Sequence, residues 1–322
     1  MKVVVGRAVL SLLAPVALVA LIAGCGSSST SSSGSSASLS ASVGSNGSSH
    51  RKFVVVAAES FWGSIATQLA GNKATVHSII VNPNTDPHSY QPTAQDERTV
   101  AIANLAIVNG IGYDNWMSQA LAASPLSGRV VFNVGDLLGL KEGDNPHQWY
   151  SPASVYKVID EIVADYDKLD PGDAGYFAQR KQTFETQGLA QYNQLRKEIR
   201  AKYAGVPVGY SESIFQPLGE DLGLKLLTPY SFTKAIAEGT DVTAQDKQTV
   251  DSQAQNRLIK VWVYNSQNAT PDIQRVNQIA RAQHIPIATV TETLSPASDS
   301  FQLWQVAELE GLIAALHKAT GK

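Results

Sequence analysis

Apolar and polar positions along most of this chain alternate between two periods. Short apolar runs at residues 53–58, 75–81, 105–108 and 130–134 read as β-strands, and segments with helical spacing at 62–69, 97–104 and 116–122 fall between them. The pattern then resumes, with strand-like runs at 206–210, 224–227, 260–264 and 286–290 and helical segments at 213–222, 244–257 and 271–282. Strands that alternate with helices predict βα units and mostly parallel sheets. The expected fold class is therefore α/β, with two lobes.

Between the two series, residues 153–204 contain no strand run. After Pro171-Gly172, the positions Tyr176, Phe184, Leu189, Tyr192, Leu195 and Ile199 recur mostly at helical spacing. Two arrangements fit this pattern. One uninterrupted helix of about 30 residues would be about 45 Å long and link the lobes as a rigid strut. The other is a pair of helices packed on one lobe, with Gly188 as the weak point. The single strut is the expectation carried forward.

The start of the chain has a different pattern. Lys2 and Arg7 precede an apolar run over residues 8–22 that ends in Ile22-Ala23-Gly24-Cys25. A membrane-spanning helix needs about 20 apolar residues, so this shorter run with a charged start and small-residue end reads as a secretory signal. From Gly26 to about His50 the composition collapses to Ser, Gly, Ala and Thr, which cannot bury enough apolar surface to order itself. The expected organisation is a signal peptide at 1–24, a lipidated Cys25 and flexible tether at 25–50, an N-terminal lobe at 51–152, a linking helical segment at 153–204 and a C-terminal lobe at 205–322.

Composition narrows the function. Cys25 is the only cysteine, which removes disulfides from an exported fold and leaves stability to its own core. A net charge of −3 with 16% charged residues supplies no basic field for nucleic acid. There is no Gly-x-Gly-x-x-Gly phosphate loop and no His-Glu-x-x-His.

The candidate chemistry lies where strands end. Asp86-Pro87-His88-Ser89-Tyr90-Gln91-Pro92-Thr93 follows one strand, and Asn145-Pro146-His147-Gln148-Trp149 repeats the design of a histidine after a proline. Glu212 falls just past the strand at 206–210, and Glu292 just past the strand at 286–290. Ligands of open parallel sheets bind at the carboxyl ends of strands, so two residues from each lobe converge on the crevice between them. Two imidazoles and two carboxylates suit a divalent first-row metal. Taken singly, each has an ordinary structural role, such as a turn histidine or a carboxylate at a helix start. Glu59 and Trp62, just after the first strand, face the same edge and are expected to orient a ligand from behind. His77, His284, His317 and His50 read as structural or solvated.

The turn at 86–93, the Asn109-Gly110-Ile111-Gly112 segment, Pro146-His147-Gln148-Trp149 and the Ser211-Glu212 and Thr291-Glu292 pairs resemble the substrate-binding lipoproteins of zinc and manganese ABC importers. Residues 22–25 likewise resemble the bacterial lipobox, in which the cysteine carries the lipid. The family resemblance runs from about Phe53 to the C-terminus. It implies two Rossmann-like lobes joined by one long helix and a buried Zn2+ or Mn2+ as the transported ligand, with no organic cofactor. It also implies ligands at His88, His147, Glu212 and Glu292, and a permease partner for a monomer anchored outside the cell membrane. Zinc members usually carry histidine where Glu212 stands, and manganese members usually carry aspartate where Glu292 stands. The rival readings are an exported zinc hydrolase, since two histidines and a carboxylate can leave zinc a site for water, and a metal-stabilised adhesin.

Overall fold

The computed structural model describes residues 52–322, the side chain of His88 excepted. The expected signal peptide, Cys25 and the tether lie outside the described residues. The first half runs β1 (Phe53–Glu59), α1 (Ser60–Ala70), β2 (Ala74–Ile80), α2 (Ala94–Ala101), β3 (Leu105–Val108), α3 (Asn115–Ala123), β4 (Val130–Asn133) and α4 (Val134–Leu138). Three helices follow: α5 (Pro152–Leu169), α6 (Ala174–Thr183) and α7 (Ala190–Tyr203). The second half runs β5 (Pro207–Tyr210), α8 (Gln216–Asp221), β6 (Lys225–Leu226), α9 (Tyr230–Ala237), α10 (Ala244–Gln255), β7 (Val261–Asn265), α11 (Pro271–Ala282), β8 (Ile287–Val290) and α12 (Phe301–Thr320).

Each half holds a four-stranded sheet, in the orders β2-β1-β3-β4 and β6-β5-β7-β8, and every pairing is parallel. Strand order reverses between β1 and β3 in one sheet and between β5 and β7 in the other. Such switch points open a crevice at the carboxyl ends of the strands. The inner strands β1, β3 and β7 are almost wholly buried because helices cover both faces of the sheet there. Along β1, Val55 and Ala57 enter a central core that also takes Val208, Tyr210, Val261 and Val263 from the second sheet. Val56 and Ala58, one residue out of phase, enter an outer core with Val100, Val108 and Met117.

The helical path from Ala174 to Tyr203 does not run as a uniform α-helix. At Phe184–Gly188 it widens into a π segment, closed by Leu189 N–H donating to Phe184 O at 2.8 Å. Gly188 permits this, since a Cβ there would sit 3.0 Å from the Phe184 ring. The path serves both halves. Phe177 in α6 packs its ring on Phe53 and Tyr166 at 6.2 and 5.2 Å, while α7 lies against α12 and its Arg196 pairs with Asp221 at the end of α8. Pro152–Leu169, which showed only an absence of strand signal, is a separate amphipathic helix capped by Ser151. The helix expected at 97–104 begins earlier because Thr93 caps α2. Its Oγ1 accepts from Asp96 N–H at 3.3 Å, and the Asp96 carboxylate accepts from Thr93 N–H at 2.7 Å.

Candidate functional site

The segment after β2 is shaped by the residues around His88. Ser89 Oγ donates to Asp86 Oδ2 at 2.8 Å within the turn Pro87–Ser89. Tyr90 OH donates to Asp96 at 2.7 Å, and its ring meets Trp116 edge-on at 5.0 Å. The Asp-Pro-His-Ser-Tyr-Gln-Pro-Thr string is thus a turn, an aromatic anchor and a helix cap in sequence. It fixes the backbone of His88, whose side chain lies outside what is described.

His147 is fully buried. Its backbone N–H and its Nδ1 both meet Asn145 Oδ1, at 3.1 and 2.8 Å, and Nδ1 lies 3.3 Å from Ser213 Oγ in the second half. The ring is walled by Trp149 and Tyr113, with centroids 5.2 and 6.1 Å away. Trp149 in turn stacks on Phe61 of α1 at 3.9 Å.

Both glutamates stand just beyond strands of the second sheet, Glu212 on extended backbone. Glu212, after β5, is buried, and its Oε2 accepts from Asn265 Nδ2 at 2.9 Å. Glu292, after β8, has its N–H bonded to Gln267 Oε1 at 2.7 Å, and its Oε1 accepts from Tyr113 OH at 3.0 Å. That oxygen stands 3.8 Å from His147 Nε2. Glu212, Glu292, Asp86 and Ser89 line one cleft of about 440 Å³ between the halves, and His147 borders a smaller one of about 130 Å³ with Asn145 and Ser213. His147 and Glu292 are therefore brought together, and Glu212 shares a wall with Glu292. Among the described residues no three His, Cys, Asp or Glu side chains stand at metal-holding distance.

The two residues expected behind the ligands are buried there. Trp62 Nε1 donates to Asn109 Oδ1 at 3.0 Å, and Asn109 Nδ2 donates to Pro146 O at 3.1 Å, so Trp62 reaches the His147 turn through one amide. Glu59 is fully buried. Loss of water and the neighbouring Asp114 carboxyl hold its own carboxyl well above the usual range. Burial pushes Asp114 up to about 6, although the N–H groups of Asn109 and Gly110 donate to it at 2.7 and 2.8 Å. Sequence reasoning missed Asn145, Tyr113, Asn265 and Glu308. Glu308, on α12, accepts from Thr291 N–H at 2.8 Å and from Tyr150 OH at 2.6 Å, tying the Glu292 loop to the His147 turn. Of these, only Asn145 carried a local signal, its place two residues before the histidine.

His77 is exposed on edge strand β2, His284 is exposed in a left-handed turn before β8, and His317 is exposed near the end of α12. None of the three lies at the cleft.

Similar proteins have related descriptions. The manganese-binding lipoprotein MntA of Halalkalibacterium halodurans is 26% identical over 177 residues, covering 52% of this chain and 57% of that protein. This chain thus spans little more than half the length of that relative. The manganese ABC transporter substrate-binding lipoprotein PsaA of Streptococcus pneumoniae is 24% identical over 297 residues, covering 85% of this chain and 92% of that one. The manganese-bound periplasmic metal binding protein of Candidatus Liberibacter asiaticus shares the fold at a TM-score of 0.69 and 22% identity, covering 82% of this chain and 100% of that one. With a match over residues 55–315, this chain belongs to the family described as zinc-uptake complex component A, periplasmic (ZnuA).

Proposed function

We propose that this protein is an extracytoplasmic substrate-binding protein that captures one divalent transition-metal ion, Zn2+ or Mn2+, between its two halves and delivers it to an ABC importer in the membrane. The observation that carries the reading is the approach of the His147 imidazole and the Glu292 carboxylate to 3.8 Å from opposite halves, beside a cleft that Glu212 also lines. Imidazole nitrogen and carboxylate oxygen are the donors such ions take. The ligand set is His88, His147, Glu212 and Glu292, with Glu59 and Trp62 supporting from behind. Family membership and the names of its manganese-binding relatives support the choice of cargo.

Binding, rather than catalysis, follows from this donor set. Four protein ligands close the coordination position that a catalytic zinc keeps for water. Ligands drawn from both halves couple occupancy to how the halves sit together, which is the property a carrier needs to signal a loaded state to a permease. Cys25 is the proposed lipid attachment and the Ser/Gly-rich segment the tether that keeps the carrier near its membrane partner. The test is competition between Zn2+ and Mn2+ for metal-free protein, with a hydrolase panel run beside it. Tight binding of one ion with no turnover supports the carrier, and metal-dependent turnover overturns it.

A further inference from the structure

We infer that Asn145 is a positioning residue of this cleft, fixing His147 in its Nδ1–H tautomer while bonding the chain just beyond Glu212 on the opposite half. The inference rests on the proposed metal site. It adds a residue outside the ligand set that acts on both sides of the cleft at once.

The orientation of the Asn145 amide is settled by its partners. Oδ1 lies 3.1 Å from the backbone N–H of His147, which can only donate. Nδ2 lies 2.8 Å from the backbone oxygen of Ser213, which can only accept. Turning the amide over would set NH2 against N–H and oxygen against oxygen, losing both bonds. The atom 2.8 Å from His147 Nδ1 is therefore the carbonyl oxygen, a pure acceptor. A neutral imidazole facing a pure acceptor at Nδ1 must carry its proton there. Ser213 Oγ, 3.3 Å away, can donate or accept and does not decide the matter.

The consequence falls on Nε2, the nitrogen that faces Glu292. With the proton held at Nδ1, Nε2 is the nitrogen that carries the lone pair a metal takes, and the ring is fixed in rotation. The same amide donates to the carbonyl of Ser213, the residue after Glu212. One side chain thus sets both the protonation pattern of a ligand on the first half and the backbone beside a ligand on the second. Removing such a support lowers metal affinity by roughly 10- to 100-fold in comparable sites.

The test reads tautomer and affinity in the same proteins. Long-range ¹H–¹⁵N spectra of metal-free protein at about pH 8, where a free imidazole is neutral, report which ring nitrogen carries the proton. The His147 signal is assigned by its loss in His147→Ala. Wild type should show Nδ1–H. Asn145→Ala should shift His147 toward Nε2–H or a mixture and weaken Mn2+ and Zn2+ binding roughly 10- to 100-fold. Asn145→Asp keeps an acceptor for His147 but sets oxygen against the Ser213 carbonyl, so it should retain Nδ1–H with an affinity between wild type and the alanine variant. An unchanged tautomer in Asn145→Ala, or wild-type affinity there, overturns the inference. Should the alanine variant not fold, loss of Nδ1–H in Asn145→Asp overturns it equally. If His147→Ala itself binds metal like wild type, the proposed site fails, whatever the tautomer spectra show.

Discussion

His147 Nε2 and Glu292 Oε1 stand 3.8 Å apart, although 145 positions separate the two residues in the chain and they reach the cleft from opposite halves. Neither is held by its own element alone. Asn145 and the aromatic wall of Trp149 and Tyr113 fix the histidine, while Tyr113 and Gln267 fix the glutamate. Tyr113 touches both residues, so the first half supplies support for a donor of the second. A metal bound there would replace a contact already built across the interface, and the predictions below follow from that arrangement.

Glu212 should set the balance between ions. Its carboxylate is a hard anionic donor held by Asn265, and exchange for imidazole favours zinc while removing charge that manganese relies on. Glu212→His should raise the zinc-to-manganese affinity ratio by roughly tenfold, and Glu212→Ala should weaken both ions. The check is competitive titration of metal-free protein. An unchanged ratio removes Glu212 from the ligand set.

Glu308 should make stability depend on pH in a defined window. Burial moves its carboxyl from an ordinary 4.5 to about 7, against the opposing pull of bonds from Tyr150, Thr291 and Trp304. Between those values the folded state holds a proton that the unfolded state has lost. Stability from this group therefore falls as pH rises from about 4.5 to about 7 and is level above that. At about 1.4 kcal/mol per unit, less a discount for partial solvent access, the drop is on the order of 2–3 kcal/mol. Denaturant unfolding of metal-free protein at stepped pH should show a smaller drop in Glu308→Gln than in wild type. Parallel curves would contradict the assignment.

Membrane attachment should depend on one atom. Cys25→Ser removes the only thiol and with it the proposed lipid. The variant should leave the membrane fraction and appear in the soluble or secreted one, with metal binding unchanged. A variant that still sediments with membranes rules out the lipoprotein reading.

Much of the fold was legible because its signals are local. The apolar runs at 105–108 and 286–290 coincide with β3 and β8 to within one residue, and β3, buried at every position, shows how a strand covered on both faces leaves uninterrupted apolar sequence. Pro271 and Thr270 likewise mark the start of α11 by its cap. The π segment at Phe184–Gly188 was not legible, because only a glycine flagged it and the widening depends on how that glycine meets the Phe184 ring. In the cleft, Glu212 and Glu292 were readable as residues following strands, and His147 as a histidine after a proline, although α4 separates it from β4. Their supports were not. Tyr113 and Glu308 act across 179 and 158 positions of sequence, through bonds to Glu292 and Tyr150 that no spacing rule encodes.

The most direct test of the central claim is a count of ions bound by metal-free protein titrated with Mn2+ or Zn2+, in wild type and four histidine variants. Wild type should take up one ion per chain. His88→Ala and His147→Ala should lower the affinity by roughly 100-fold or more, while His77→Ala and His317→Ala, whose side chains lie away from the cleft, should match wild type. Failure of wild type to bind, or losses of equal size in all four variants, would contradict a metal site between the two sheets.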